Sequence, residues 1–188
     1  CDGDYDEGCQ DCDLTVPSTE WATIQAAIDG SVDGDVICVQ AGRYHDPITF
    51  NGKNIHLIGV AGPALTSLVG SGSVTMVTFA GTETTAVFEG FTVIGGRDGI
   101  SVNRATPIIR SVIVENMLRY GISASGSSSV TIESSVIRNN VATGVMDGYT
   151  IFNIDRCVIM DNGRGVYAGG GEVTSSIVMN NGPASTSG

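Results

Sequence analysis

Lysine is almost missing from this sequence: Lys53 is the only one, and nine basic residues stand against twenty acidic ones for a net charge of −11. A surface so acidic repels phosphate backbones and anionic headgroups, so neither nucleic acid nor a membrane surface is expected as a partner. Aromatic residues are scarce at 6%, while glycines number 26 and hydrophobic residues make up 41%. That balance argues against a helical bundle and for many short strands filled with Val and Ile. No apolar run approaches the roughly 20 residues of a membrane span, so insertion is not expected. A signal-peptide pattern is also missing, and a chain that starts at Cys1 reads as a processed product.

Five cysteines are present, Cys1, Cys9, Cys12, Cys38 and Cys157. Neither His45 nor His56 stands at a zinc-finger spacing from them, so disulfides in an oxidising compartment are the better reading. The odd count leaves one thiol unpaired or bound to another molecule. Alternation along their strands points both Cys38 and Cys157 outward, so Cys38 could tether the N-terminal segment to the first coil. A Cys38–Cys157 bond is not expected, since several coils of about 4.8 Å each separate them.

What the sequence does have is an internal repeat. Segments beginning at Ile108, Ile132, Ile154 and Val173 each carry a second aliphatic residue four positions on: Val112, Val136, Val158 and Ile177. Four further on stand Asn116, Asn140, Asn162 and Asn181. Glycine plus a β-branched residue recurs at Gly99-Ile100, Gly121-Ile122, Gly144-Val145 and Gly165-Val166, with steps of 22, 23 and 21 residues. One coil alone cannot bury its inward face, whereas stacked coils about 4.8 Å apart pair every strand with its neighbours. A three-sided β-solenoid follows, with Ile100, Ile122, Val145 and Val166 in one column and the asparagines at one bend. Length varies between asparagine and glycine, so insertions are expected at that corner.

Ahead of the coils, TEWATIQAAID places Trp21, Ile24, Ala27 and Ile28 on one helical face, with Ser18 or Thr19 as cap and Gly30 as terminator. The expected organisation is an acidic segment at 1–17 and a β-helix at 18–188, divided into a capping helix at 18–30 and coils at 35–182.

Residues 24–29 (IQAAID), 34–44 (GDVICVQAGRY) and 53–59 (KNIHLIG) resemble the N-terminal part of pectin-lyase-like β-helix proteins. With the repeats, the resemblance spans about residues 20–182. It implies an all-β, right-handed parallel β-helix whose helix plugs the N-terminal end of the core. On activity it says little, because that superfamily holds lyases, hydrolases, epimerases, adhesins and inert surface proteins. Its enzymes work with clustered carboxylates, often with calcium and a basic residue, on one face of adjacent coils. Here the aligned pairs are Asp155 with Glu133, and Asp161 with Glu115. These four are the candidate acids and bases, since glycoside hydrolysis needs two carboxyls. A solvated outer face is the plainer reading of them. Arg110, Arg138, Arg156 and Arg164 are dispersed along the sequence rather than grouped. His45, beside Asp46, falls in a loop; His56 points outward from a strand; Asp147, in the place of Val102 and Ala124, reads as a bulge or turn.

Asp2, Asp4, Asp6 and Asp13 fall at positions 1, 3, 5 and 12 of a calcium loop, and hard oxygen ligands on alternate residues suit that ion. The block resembles thrombospondin type 3 repeats, which end in Cys-Asp as Cys12-Asp13 does. It departs from them at Glu7, where the loop has glycine. After Gly182 the sequence runs through PASTSG without a capping helix, so self-association through the solenoid ends, locked by calcium or a free thiol, could build a fibre. The expectation is a non-catalytic secreted or cell-surface β-solenoid of a bacterium or archaeon, structural or adhesive. The alternatives are a carbohydrate-active enzyme or a glycan-binding module.

Overall fold

The computed structural model describes residues 11–182 apart from Thr82, Ser127, Gly148 and Tyr149. All strand pairs are parallel, and each strand pairs with those one coil before and after it. Three sheets result. The first has eight strands, from Leu14–Val16 and Val36–Val39 to Gly170–Thr174. The second has seven, from Gly42–Tyr44 to Ile177–Met179, and the third six, from Ile48–Thr49 to Arg164–Tyr167. This is the three-sided parallel β-solenoid that the repeat implies.

Alternation within each short strand turns one residue inward, and the repeat stacks those residues. The first sheet contributes Leu57, Phe88, Ile109, Ile132 and Ile154. The second contributes Leu68, Val93, Val114, Ile137 and Ile159. Val77, Ile100, Ile122, Val145 and Val166 form the third column, as expected. All but Val166 are at most 1% exposed, and each buried aliphatic contributes about 1.5–3 kcal/mol relative to exposure. Toward the N-terminal end the core widens to hold the stacked pairs Phe50–Phe79 and Phe88–Phe91.

Two corners have fixed chemistry. Between the first and second sheets a single residue with φ of 47° to 52° makes the bend: Ser111, Ser134, Arg156 and Ser175. Between the second and third sheets Asn116, Asn139, Asp161 and Asn180 do the same, with φ of 53° to 57°. Asparagine and aspartate tolerate this left-handed region better than most residues. The next residue turns inward, and there Asn140 and Asn162, both buried, and the half-buried Asn181 form a ladder. Asn140 donates from N–H and Nδ2 to Asn162 Oδ1 (3.0 and 2.9 Å), and Asn162 does the same to Asn181 Oδ1 (both 3.0 Å). Gly144 is glycine for lack of room: a Cβ there would stand 2.8 Å from Asn162 Nδ2 and 2.9 Å from Gly165 O.

Several expectations are corrected. Asn116 is not a rung of the ladder. Met117 takes that place, donating its N–H to Asn140 Oδ1 (3.0 Å), and the repeat of that coil starts at Ile109. Two adjacent isoleucines make the one-residue slip invisible in sequence, but only Ile109 faces the core. Insertions are not confined to the asparagine corner either. From glycine to the next first-sheet column the distances are 10, 11, 10 and 8 residues (Gly99 to Ile109, Gly121 to Ile132, Gly144 to Ile154, Gly165 to Val173), so the corner after the third sheet varies too. Cys157 points inward and is buried. Arg156, with its positive φ, resets the alternation, and Cys157 occupies the place of Ser135 and Ser176, donating its thiol to Asp155 O (3.2 Å). Burial pushes this thiol above its ordinary pKa.

The helix is shorter than expected, Ile24–Gly30, and Thr23 caps it by accepting from Ala26 N–H (3.2 Å). Ser18 instead accepts from Trp21 N–H (2.9 Å) in a separate turn, so Trp21 precedes the helix; its ring fills the space a Gly30 side chain would need. Ile24, Ala27 and Ile28 face the core. A strand at Leu14–Val16 comes before the helix and pairs with Val36–Val39, so the first sheet begins within the residues read as an appendage. Cys12 and Cys38 form a disulfide with Cα atoms 5.7 Å apart, fastening that first strand. Cys1 and Cys9 lie outside the described residues.

Candidate functional site

The candidate carboxylates fall on two outward faces. Glu133 and Asp155 are direct neighbours across strands Ser129–Glu133 and Ile151–Asp155, in a column that also holds Glu89 and Arg110. Asp155 pairs with Arg156 Nη1 (2.5 Å) and accepts from Thr174 Oγ1 (2.9 Å). Arg110 binds Glu89 Oε2 (2.8 Å), which also meets His56 Nε2 (2.8 Å). His56 thus points outward, as expected. Asp161 and Glu115 are not brought together. Glu115 shares its column with Arg138 and Met160 and is bound by Arg138 Nε (2.7 Å), whereas Asp161 lies in the turn column beside Asn139. The slipped repeat is the cause of that false alignment. Three of the arginines that look scattered in sequence, Arg110, Arg138 and Arg156, are therefore counter-ions, one coil or one residue from their acids.

The calcium candidates Asp2, Asp4 and Asp6 lie outside the described residues. Asp13 sits at the edge of the first sheet, where its Oδ2 accepts from Val36 N–H (2.8 Å). Among the described residues no group of three His, Cys, Asp or Glu side chains is placed to hold a metal. Asp147 ends the strand Thr143–Asp147, buried, and its carboxylate accepts from Thr150 N–H; the residues between them, where a bulge or turn was expected, lie outside the described residues.

The most constrained polar cluster is one that the repeat alone does not single out. Asp98 opens a third-sheet strand, 2% exposed. Arg119 grips it with both ends of its guanidinium, Nε to Oδ1 and Nη2 to Oδ2 (both 2.7 Å), and Arg97 Nε donates to Oδ2 (3.1 Å). Burial would raise the Asp98 carboxyl, but hydrogen bonds from Arg119 and Arg97 outweigh it and hold the pKa below its ordinary value. Arg119 also lies 4.6 Å over the Tyr120 ring, so Asp98 fixes the ring through the arginine. The signal in sequence was an Arg-Asp pair answered 22 residues later by Arg119, an ion pair across one coil.

Beside Tyr120 a cavity of ≈ 330 Å³ opens, lined by Val141, Ala142, Thr143, Met146 and Arg164. It is concave because the stacked positions Arg97 and Arg119 are followed one coil on by the small Ala142. The Arg164 guanidinium lies 4.9 Å over the Tyr167 ring. A second cavity of ≈ 220 Å³ lies at the N-terminal end, lined by Thr23, Gln25, Tyr44, His45 and Asp46 among others. Burial raises the Tyr44 hydroxyl, which donates to Gln40 O (2.9 Å). Neither cavity is lined by Glu115, Glu133, Asp155 or Asp161.

Replacing Asp98 gives a pH-dependent result. A carboxyl depressed in the folded state adds stability above its unfolded pKa of about 3.9, and that stability is lost as pH falls through the folded value. Asp98→Asn is expected to cost about 2 kcal/mol at pH 7. Urea midpoints measured at pH 7, 4 and 3 should show the gap to the parent narrowing toward acid; a constant gap would contradict the assignment.

No curated protein matches the chain. Among solved structures, a pectin methylesterase from Aspergillus niger is similar at 13% identity with a TM-score of 0.43, over 93% of this chain and 87% of that one. Among the described residues no helix is long and apolar enough to cross a membrane. A model of the right-handed beta helix region matches residues 48–187, and with the three parallel sheets and stacked columns described above, this chain belongs to that family.

Proposed function

We propose that this chain is a non-catalytic extracellular or cell-surface β-solenoid with a structural or adhesive role. The observation that carries the reading is the state of its carboxylates. Glu115 and Asp155 are held in ion pairs, and Glu133 stands with them on outward strands outside both cavities. General acid–base chemistry needs a carboxyl beside a substrate that the site can grip, and these carboxylates line neither of the two cavities described above. The Cys12–Cys38 disulfide supports an oxidising, extracellular setting. Calcium held by Asp2, Asp4, Asp6 and Asp13 belongs to the same reading, since acid ligands on alternate residues suit it.

A second reading, a glycan-binding module, is favoured by the cavity beside Tyr120, where a ring fixed by Arg119 and Asp98 could stack on a sugar. One experiment separates these. The chain is incubated with pectin, alginate and a panel of neutral glycans, and both product release and binding are measured. The leading reading expects neither. Binding without turnover, lost in Tyr120→Ala, moves the function to the cavity. Turnover lost in Asp155→Asn installs a carbohydrate-active enzyme instead.

A further inference from the structure

The outer faces of the three sheets differ in charge. Those of the first and second carry charged residues, Glu89, Arg110, Glu133 and Asp155 on one, Glu115 and Arg138 on the other. The third carries hydroxyls instead. Alternation turns Thr49, Thr78, Ser101 and Ser123 outward in one column, one residue per coil and about 4.8 Å apart. Beside it Ala80, Asn103 and Ser125 form a second, exposed column. Neither column holds a charge, in a chain of net charge −11. Among the described residues no other group hydrogen-bonds the hydroxyls of Thr78, Ser101 or Ser123, which leaves them to whatever lies on this face.

The hydroxyl column runs into the cavity beside Tyr120. Its next member is Met146, which lines that cavity. The cavity exists because one rung of the neighbouring column is short. Tyr120, Thr143 and Arg164 follow one another coil by coil there, with Gly121 N–H donating to Thr143 O (3.0 Å) and Thr143 pairing with Arg164. Tyr120 and Arg164 are two coil rises apart, about 10 Å, and the small Thr143 side chain fills little of that gap. The slot has room for one ring lying on Tyr120. Thr143 is 6% exposed and lines the slot, and among the described residues its hydroxyl has no hydrogen-bond partner. Nearly buried polar groups are normally bonded, so a hydroxyl kept free at a cavity wall is placed for a ligand.

We propose that the third-sheet face binds a neutral, extended glycan chain running along the solenoid axis, with one sugar in the slot on Tyr120 and its neighbours on Ser123, Ser101 and Thr78. The proposal rests on the glycan-binding reading above and gives that site a ligand class. An extended, equatorially linked pyranose chain advances by about one coil rise per sugar, so its hydroxyls keep step with the column. The apolar face of one sugar packs on the Tyr120 ring. Neutrality follows from charge. Arg119 and Arg97 are already bound to Asp98, and the acidic chain as a whole repels a polyanion.

Calorimetric titration of the full chain with cellohexaose, mannohexaose, their disaccharides and hexagalacturonate tests this, with Tyr120→Ala and Ser101→Ala alongside. Circular dichroism and melting verify the fold of each variant; Ser101→Ala, at a half-buried outward site, carries the test alone if Tyr120→Ala does not fold. The expected result is a neutral hexamer bound on the order of 10-fold more tightly than its disaccharide, since each further rung adds hydrogen bonds. Tyr120→Ala should weaken the hexamer on the order of 10-fold. Ser101→Ala should weaken it about 3- to 10-fold and leave the disaccharide unchanged. Equal affinity for hexamer and disaccharide, a preference for hexagalacturonate, or indifference to Ser101→Ala overturns the proposal and leaves the glycan-binding reading standing on the cavity. Binding of none of these sugars overturns both.

Discussion

Asn162→Ala is expected to cost about 3–5 kcal/mol, because it strands several buried groups at once. The side chain is 3% exposed, and its Oδ1 accepts two hydrogen bonds from Asn140 while its Nδ2 donates to Ile137 O (3.1 Å) and Asn181 Oδ1. Removing it leaves the Asn140 N–H, the Asn140 amide and the Ile137 carbonyl without these partners, in a corner that Gly144 keeps too tight for anything larger. Each such orphan costs about 1–3 kcal/mol, partly relieved by relaxation or an entering water. The melting midpoint should fall by about 10 °C. Asn180→Ala, at the bend position just before the rung of the next coil, is the control. There the loss is of a residue suited to positive φ (53°) at an exposed site, worth about 1 kcal/mol. Equal effects at the two positions would mean that the ladder is not what holds this corner.

Opening the Cys12–Cys38 disulfide is the second large effect. The bond closes a loop with a sequence separation of 26, for which chain entropy gives about 3.5 kcal/mol. The effect should be local. In a solenoid each coil contacts only its neighbours, so losing the fastening frays the strand Leu14–Val16 and its partner Val36–Val39 before it reaches later coils. Hydrogen exchange of Cys12→Ser/Cys38→Ser should show protection lost from residues 14–39 and kept across Ser129–Glu133 and Ile151–Asp155. Uniform loss would contradict a nearest-neighbour architecture. Cys157 provides an internal check, since its buried, protonated thiol should resist alkylation in the variant as in the parent.

The fold was largely legible because a β-solenoid writes its geometry into sequence period. Gly121-Ile122 and Gly144-Val145 repeat at one coil length, and the coil length is the distance between stacked neighbours. Register was legible only where one aliphatic stood alone. At Ile108-Ile109 two were available, the wrong one fitted the four-residue spacing, and both Asn116 and the Asp161–Glu115 pair were misplaced as a result. Cys157 was misread for a related reason: simple alternation fails across a corner whose bend residue, Arg156, has positive φ. The Asp98 cluster was hidden because its partners arrive from the preceding residue and the following coil, which no local motif records. The helix start was misjudged because Ser18 does cap a turn, only not the helix turn.

The central claim is that like side chains stand over one another once per coil. Methyl-labelled protein and nuclear Overhauser contacts test it directly. The account predicts strong contacts from Ile122 to Ile100 and to Val145, neighbours across about 4.8 Å, and far weaker ones between Ile100 and Val145 two coils apart. Strong Ile100–Val145 contacts, or none from Ile122 to either, would contradict it.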